Sequence, residues 1–330
     1  MEAVGGHGAA GVTDRGLIRG VNADAMALAT VDDWTVGVVC DGVSMAPRSD
    51  RAARLAAEVA ANVTVEALRA GELPETALVR AAARAAQAVS ALATSPRATR
   101  APARTTHIPA RAGQIPASAN QAATSANQAA TSANQAATFA NQSPAPAGRA
   151  SAAATDAPAY AMQALTRAAP VPTRVPSASG DPVLDLLGAA PACTFLAGIV
   201  GPEGIWTAWI GDSRAYWIPD EGPGWALSED DTGENDALAA WLGADADDRP
   251  PRIRSHRPAV PGRLLLCTDG LWRYLDGVES LRSVLPSRRG GRDADGELRN
   301  VRAWVAHALE AGGHDNVTAL SIPVSPLYEP

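Results

Sequence analysis

The sequence predicts an α+β layered domain with mainly antiparallel sheets. Three observations carry this. Short apolar or alternating runs follow one another as strands would, and pairs of helix-like segments separate them. A low-complexity stretch from residue 95 to 181 interrupts the pattern, so that the two sides read as halves of one domain. The connections alternate tight turns with helix pairs, which argues against a parallel βαβ succession.

Residues 1–11 carry no strong pattern and read as a flexible N-terminus. A strand-like segment surrounds Met26–Ala29, and "WTVGVVC" (34–40) is a strand. Ser49 or Asp50 stands where a helix cap belongs, ahead of an apolar face of Leu55, Val59 and Val63 that stops at Gly71. Pro74 opens a second helix through Leu78, Ala82, Ala85, Val89 and Leu92. Beyond the insert, "CTFLAGIV" (193–200) is a strand, and "GIWTAWIGDSRAYWI" (204–218) reads as a hairpin turning at Gly211-Asp212-Ser213. "RLLLCT" (263–268) is another buried strand, followed by a helix through Leu271, Leu275, Val278 and Leu281. A last helix through Leu298, Val301, Trp304, Val305 and Leu309 ends at Gly312-Gly313, before the strand "NVTALSIPV" (316–324) and a short tail, 326–330.

Within the insert, "ANQAATS" repeats with a period of seven from Ala119. No position of the repeat carries a large apolar residue, so there is no coiled-coil seam, and the stretch is expected to be disordered.

Composition narrows the function. At 330 residues and 46% hydrophobic, the chain can bury a sizeable core. No run of 18 apolar residues suggests a membrane span, and the N-terminus lacks the pattern of a signal peptide. Cys40, Cys193 and Cys267 all lie in apolar runs, which suggests buried thiols and a cytoplasmic setting. The net charge is −7, and all 28 basic residues are Arg. Outside residues 96–180 the chain holds 21 Arg against 34 acids, a balance of −13 with no basic patch. Nucleic acid is therefore not an expected partner.

Four acids stand at strand ends. Asp41 follows "VGVVC", Asp212 follows "TAWIG", Asp269 follows "LLLCT", and Asp315 precedes "NVTALSI". Each alone reads first as a helix cap or a turn residue. Together they would crowd negative charge at one rim, which a cation can neutralise. Carboxylates without a His or Cys motif are hard oxygen ligands, suited to Mg²⁺ or Mn²⁺. Two such ions are a usual device for turning water against a phosphate ester. Arg19 offers the fork that binds phosphate, although alone it reads as a surface arginine.

"RGVNADA", "VVCDGV", "GDSRAYWI", "LLLCTDGLW" and "GGHDNVTAL", in this order, resemble the type 2C metal-dependent protein serine/threonine phosphatases. "AWLGADADDRPPRIRSHRPAVPG" resembles the flap of actinobacterial members. The resemblance implies a four-layer αββα sandwich, with a catalytic domain of residues 12–94 and 182–325. It implies two or three Mn²⁺ or Mg²⁺ ions and a metal-bridging hydroxide, with no covalent intermediate. Asp41, Asp269 and Asp315 match the acids around one metal, with the Gly42 carbonyl beside a second. Asp212 and Asp269 match the acids of a third, Asp24 matches an acid acting through water, and Arg19 matches the phosphate-binding arginine. The implied partner is a phosphorylated protein, with no membrane and no nucleic acid; a serine/threonine kinase as opponent is left open. Two departures stand out. Ala23 occupies the place of a glutamate ligand, which weakens the second metal site, and Val43 occupies the place of a histidine found in some members. Ala23 keeps an alternative alive: a weak or silent phosphatase-like domain that binds phosphoproteins or a partner as a regulator.

Overall fold

The computed structural model describes residues 1–6, 8–94, 190–234, 237–285 and 294–325. They belong to one compact unit formed from residues 1–97 and 178–330. The insert with its heptad repeat, and the tail at 326–330, lie outside the described residues.

Two antiparallel sheets face each other. Sheet I contains β1 (Glu2–Gly6), β2 (Ala9–Asp14), β8 (Arg214–Pro219), β9 (Trp225–Ala226), β12 (Gly262–Cys267) and β13 (Val317–Val324), in the order β1-β2-β13-β12-β8-β9. Sheet II contains β3 (Ala25–Val31), β4 (Trp34–Cys40), β6 (Phe195–Gly201), β7 (Gly204–Ile210) and β11 (Arg252–His256), in the order β11-β7-β6-β4-β3. A two-stranded ribbon pairs β5 (Ala192–Cys193) with β10 (Leu242–Gly243). The helices are α1 (Ser49–Arg69), α2 (Pro74–Thr94), α3 (Asp269–Trp272), α4 (Val278–Val284) and α5 (Ala294–Glu310).

Strand alternation builds three cores. On β4, Val36, Val38 and Cys40 turn outward onto α1 and α2, while Val39 turns toward sheet I. On β12, Leu264 and Leu266 join Val39 between the sheets, and Leu265 and Cys267 face α3–α5. The layers are therefore helix pair, sheet, sheet and helices. Alanine lines the buried face of α1 at 52, 53, 56, 57, 60 and 61, which lets the helix lie close on its neighbours at high helix propensity. α1 ends in a Schellman motif: Gly71 N–H bonds the Leu68 carbonyl, Glu72 N–H bonds the Ala67 carbonyl, and Gly71 takes φ 77°. α5 ends the same way at Gly312, and this exit delivers His314 and Asp315 to the start of β13.

Four expectations are corrected. Residues 1–11 are not a free end: β1 and β2 pair from Glu2↔Thr13 to Gly6↔Ala9, and Ala9, Ala10 and Val12 are fully buried. Residues 204–218 are not a hairpin, because β7 lies in sheet II and β8 in sheet I. Gly211, at φ 114°, carries the chain from one sheet to the other. The helix expected through Leu271 and Leu281 is broken into α3 and α4 at Gly277. Neither Ser49 nor Asp50 caps α1: the cap position is Arg48, in the left-handed region at φ 58° with no side-chain cap bond. Among the described residues no helix is long and apolar enough to cross a membrane.

Candidate active site

Pairing register brings the acids to one end of both sheets. In sheet II, Ala25 pairs with Cys40, Val39 with Leu196, and Phe195 with Ile210. Asp24, Asp41 and the turn after β7 that holds Asp212 therefore leave the sheet at the same end. In sheet I, Cys267 pairs with both Ala319 and Arg214, and Val317 pairs with Asp14. Asp269 and Asp315 leave that sheet beside the crossing that carries Asp212.

Each acid is held by its backbone. Asp41 N–H donates to Thr194 Oγ1 at 2.9 Å, and its carbonyl accepts from Thr194 N–H at 2.7 Å. The same hydroxyl shares a 2.9 Å bond with Ser213, next to Asp212. Asp212 is 9% exposed, and its carbonyl accepts from Trp272 Nε1 at 2.9 Å. A Cβ placed on Gly42 would lie 2.7 Å from the Ala23 carbonyl, so the two loops are packed backbone to backbone. A Cβ on Gly270 would lie 1.9 Å from the Asn316 carbonyl, which lets α3 start directly against β13. Asn316 ties the other loop in: its Oδ1 accepts from Ala23 N–H at 2.7 Å, and its Nδ2 donates to the Arg15 and Val21 carbonyls at 2.8 and 3.0 Å.

The carboxylates themselves find partial partners. Asp24 Oδ2 accepts from Thr268 and Thr318 hydroxyls at 2.8 and 2.7 Å, while its buried Oδ1 receives no hydrogen bond. Asp269 Oδ2 accepts from Arg273 Nε at 2.9 Å, and its buried Oδ1 is likewise unpartnered. Asp315 takes both arms of Arg19, at 2.7 and 2.5 Å. Leu17, Ile18 and Val21 flank Arg19 on the same loop and are exposed.

Crowding shows in the protonation equilibria. Burial raises Asp41 well above the carboxylate range, and the charges of Asp24, Asp269, Asp212 and Asp315 add to it. Burial lifts Asp24 to about 7 against the pull of the two threonine hydroxyls. Burial, with Asp269 nearby, lifts Asp212 to about 6.

A hard cation fits this donor set. Two buried carboxylate oxygens lack donors, and mutual repulsion disfavours the charged state that a divalent ion would stabilise. Among the described residues no three such side chains converge on one ion position; arginines hold Asp315 and Asp269, and threonines hold Asp24. Ala23 adds no carboxylate.

The structure thus gathers Arg19, Asp24, Asp41, Gly42, Asp212, Asp269 and Asp315. Sequence reasoning missed four supports: Thr194, Thr268, Thr318 and Arg273. Only Thr268 and Arg273 carried a local signal, being one residue before and four after Asp269. Trp241 lines a groove of about 750 Å³ that also includes Ala82, Ala86 and Arg249.

Two antiparallel sheets between helical layers form a four-layer sandwich, a fold shared with solved bacterial phosphatases. Solved structures with this fold include PppA, a regulatory component of the T6SS in Pseudomonas aeruginosa, at 17% identity and TM-score 0.52, covering 97% of this chain and 98% of that one. Stp1 from Staphylococcus aureus matches at 15% identity and TM-score 0.51, covering 96% of this chain and 94% of that chain. MsPP from Mycobacterium smegmatis, in complex with cacodylate, matches at 16% identity and TM-score 0.50, covering 96% and 98%. No curated protein sequence matches the chain. The family model of protein phosphatase 2C matches residues 19–301, and the chain belongs to that family.

Proposed function

We propose that this chain hydrolyses phosphoserine and phosphothreonine in proteins, with Mn²⁺ or Mg²⁺ as cofactor. The observation that carries the reading is the convergence of five buried or half-buried aspartates with Arg19 at one end of both sheets. Asp41 with the Gly42 carbonyl, Asp269, Asp315 and Asp212 would hold the ions, and Asp24 would act through water. When bound, divalent cations supply an activated water and neutralise phosphate charge.

The remaining chemistry belongs to the chain's own groups. Arg19 presents a planar fork, now spent on Asp315, whose two parallel donors match two phosphate oxygens. Thr268 and Thr318 keep Asp24 turned inward, and Thr194 fixes the spacing between Asp41 and the Asp212 turn. No covalent intermediate is required. The three cysteines are buried, and a hydrogen bond with the Cys40 thiol, together with burial, raises Cys193 well above the usual thiol value. Ser213, the serine nearest these acids in sequence, is buried and bonded to Thr194.

The catalytic domain draws on both sides of the insert, a reading supported by sheet II, where β3 and β4 continue into β6, β7 and β11. The unpaired buried thiols support a reducing, cytoplasmic setting.

The test is hydrolysis of a phosphothreonine peptide and of para-nitrophenyl phosphate with and without Mn²⁺. Metal-dependent turnover abolished by Asp269→Ala is expected. No turnover at millimolar Mn²⁺, or turnover indifferent to Asp269→Ala, overturns the proposal. Ala23 favours a second reading, a silent domain that binds phosphoproteins. Ala23→Glu separates the two: a gain of a few-fold in an already active protein supports the enzyme, and activity created from nothing supports the binder.

A further inference from the structure

Two arginines reach the acid cluster, and they are engaged differently. Arg19 commits Nε and Nη2 to Asp315. Arg273 commits only Nε, to Asp269 Oδ2 at 2.9 Å, and among the described residues no hydrogen bond takes its Nη1 or Nη2. Its side chain is 51% exposed, against 15% for Asp269. Charge on Asp269, Asp212 and Asp315 all acts on this guanidinium, so it stands over the same rim as Arg19.

Its position is supported from below. The guanidinium lies 4.8 Å from the centre of the Trp272 ring, a cation–π distance. Trp272 is itself fixed, by its 2.9 Å bond to the Asp212 carbonyl and by Arg214 at 3.6 Å from the ring centre. Arg214 is in turn locked by Asp230, Tyr216 and Asp276. An ordinary helix-surface pair four residues apart has no such platform. Nor does it end on a carboxylate whose other oxygen is buried without a donor.

A cation on Asp269 would compete directly with Arg273 for that carboxylate. Released from it, the guanidinium keeps its stacking on Trp272 and has all its donors for an anion. We propose that Arg273 is a second phosphate-binding residue, held by Asp269 until a divalent cation takes that carboxylate and then turned to the phosphoryl oxygens of the substrate. This rests on the phosphatase reading above and adds to it an order of binding, cation before phosphate.

The experiment is calorimetry on the full chain with a non-hydrolysable phosphonate analogue of a phosphothreonine peptide, chelated and then loaded with Mn²⁺. Wild type is expected to bind the phosphonate when loaded and far more weakly when chelated. Arg273→Gln should raise the loaded Kd roughly tenfold or more, the loss expected for one charge-assisted contact. Arg273→Lys, which keeps the charge but not the fork, should fall between the two. Mn²⁺ itself should bind Arg273→Gln at least as tightly as wild type, since a competitor for Asp269 is gone. Thermal melts of both variants confirm that the chain is folded, and Arg273→Lys gives the readout if Arg273→Gln is not. A phosphonate Kd within about twofold of wild type in the folded variants reduces Arg273 to a counter-ion and overturns the inference alone. Loaded wild type that binds no phosphonate removes the phosphatase reading, and the inference with it.

Discussion

Replacing Asp212 by asparagine should stabilise the metal-free protein at neutral pH. Asp212 is almost wholly buried, and among the described residues its side chain accepts no bond from another residue. Burial first, then the charge of Asp269, raises it from 3.8 to about 6. A carboxylate with a raised folded-state value favours the fold fully below the unfolded value and loses that contribution as pH rises through the folded one. The window here runs from about pH 4 to pH 6, and the shift of roughly two units corresponds to about 3 kcal/mol at 1.36 kcal/mol per unit. Asp24, lifted to about 7, extends the same loss upward in pH. Asp212→Asn removes the Asp212 share and adds little bulk. In urea unfolding with chelator, the variant should therefore exceed wild type by on the order of 2–3 kcal/mol near pH 7.5, with the gap closing near pH 4. His256, whose burial lowers its value, works in the opposite sense. It is present in both proteins and cancels. Adding Mn²⁺ should reverse the order, because wild type gains more from the ion. A variant less stable than wild type at pH 7.5 without metal, or a gap that persists on acidification, refutes the reasoning.

Two further substitutions probe the frame rather than the charge. Gly270→Ala drives a Cβ to 1.9 Å from the Asn316 carbonyl, backbone against backbone, so α3 must move off β13. A loss on the order of 2–4 kcal/mol is expected in thermal or urea unfolding, together with weaker Mn²⁺ binding as Asp269 and Asp315 part. Thr194→Val keeps the shape but removes the oxygen that accepts from Asp41 N–H and bonds Ser213. A cost of roughly 1–3 kcal/mol should follow from the unsatisfied amide, and a neutral result in unfolding would show that water replaces the hydroxyl.

The parts of the fold legible in the sequence are those buried on both faces. β4 and β12 read as unbroken apolar runs because each sheet is covered by helices on one side and by the other sheet on its second. β11 was not legible. It is an edge strand whose "RIRSH" sends Arg252 and Arg254 to the sheet I side, onto Glu229 and Asp231, and this resembles a charged loop. β1 and β2 are built mostly from Ala, Gly and Val in a stretch too small-sided to show a period, yet β2 is buried from Ala9 to Thr13. The crossing at 211–213 copied the signature of a hairpin, because a glycine at positive φ serves either geometry. In the site, the aspartates were visible as strand-end acids. Thr194 and Thr318 were not, since their partners lie 153 and 294 residues away and nothing local marks a hydroxyl as a brace.

This pattern has a physical consequence for how such a site can exist. Five mutually repelling carboxylates could not be held by loops of their own, since the chain would open to separate them. Here each emerges within a residue or two of a paired strand, so the ladders of two sheets resist the separation. Threonines, Asn316 and the two arginines absorb part of the unfavourable charge, and what they leave unmet is the affinity offered to a cation. Local instability and cation affinity are then one quantity seen from two sides. On the proposed metal-dependent reading Ala23 bears on this directly: an alanine there adds no charge to the cluster, so the metal-free site repels itself less and would attract a second ion less. Ala23→Glu should accordingly tighten Mn²⁺ binding in calorimetry while lowering the stability of the chelated protein, the mirror image of Asp212→Asn. A glutamate that tightened the ion without any cost to the chelated fold would break the link between the two.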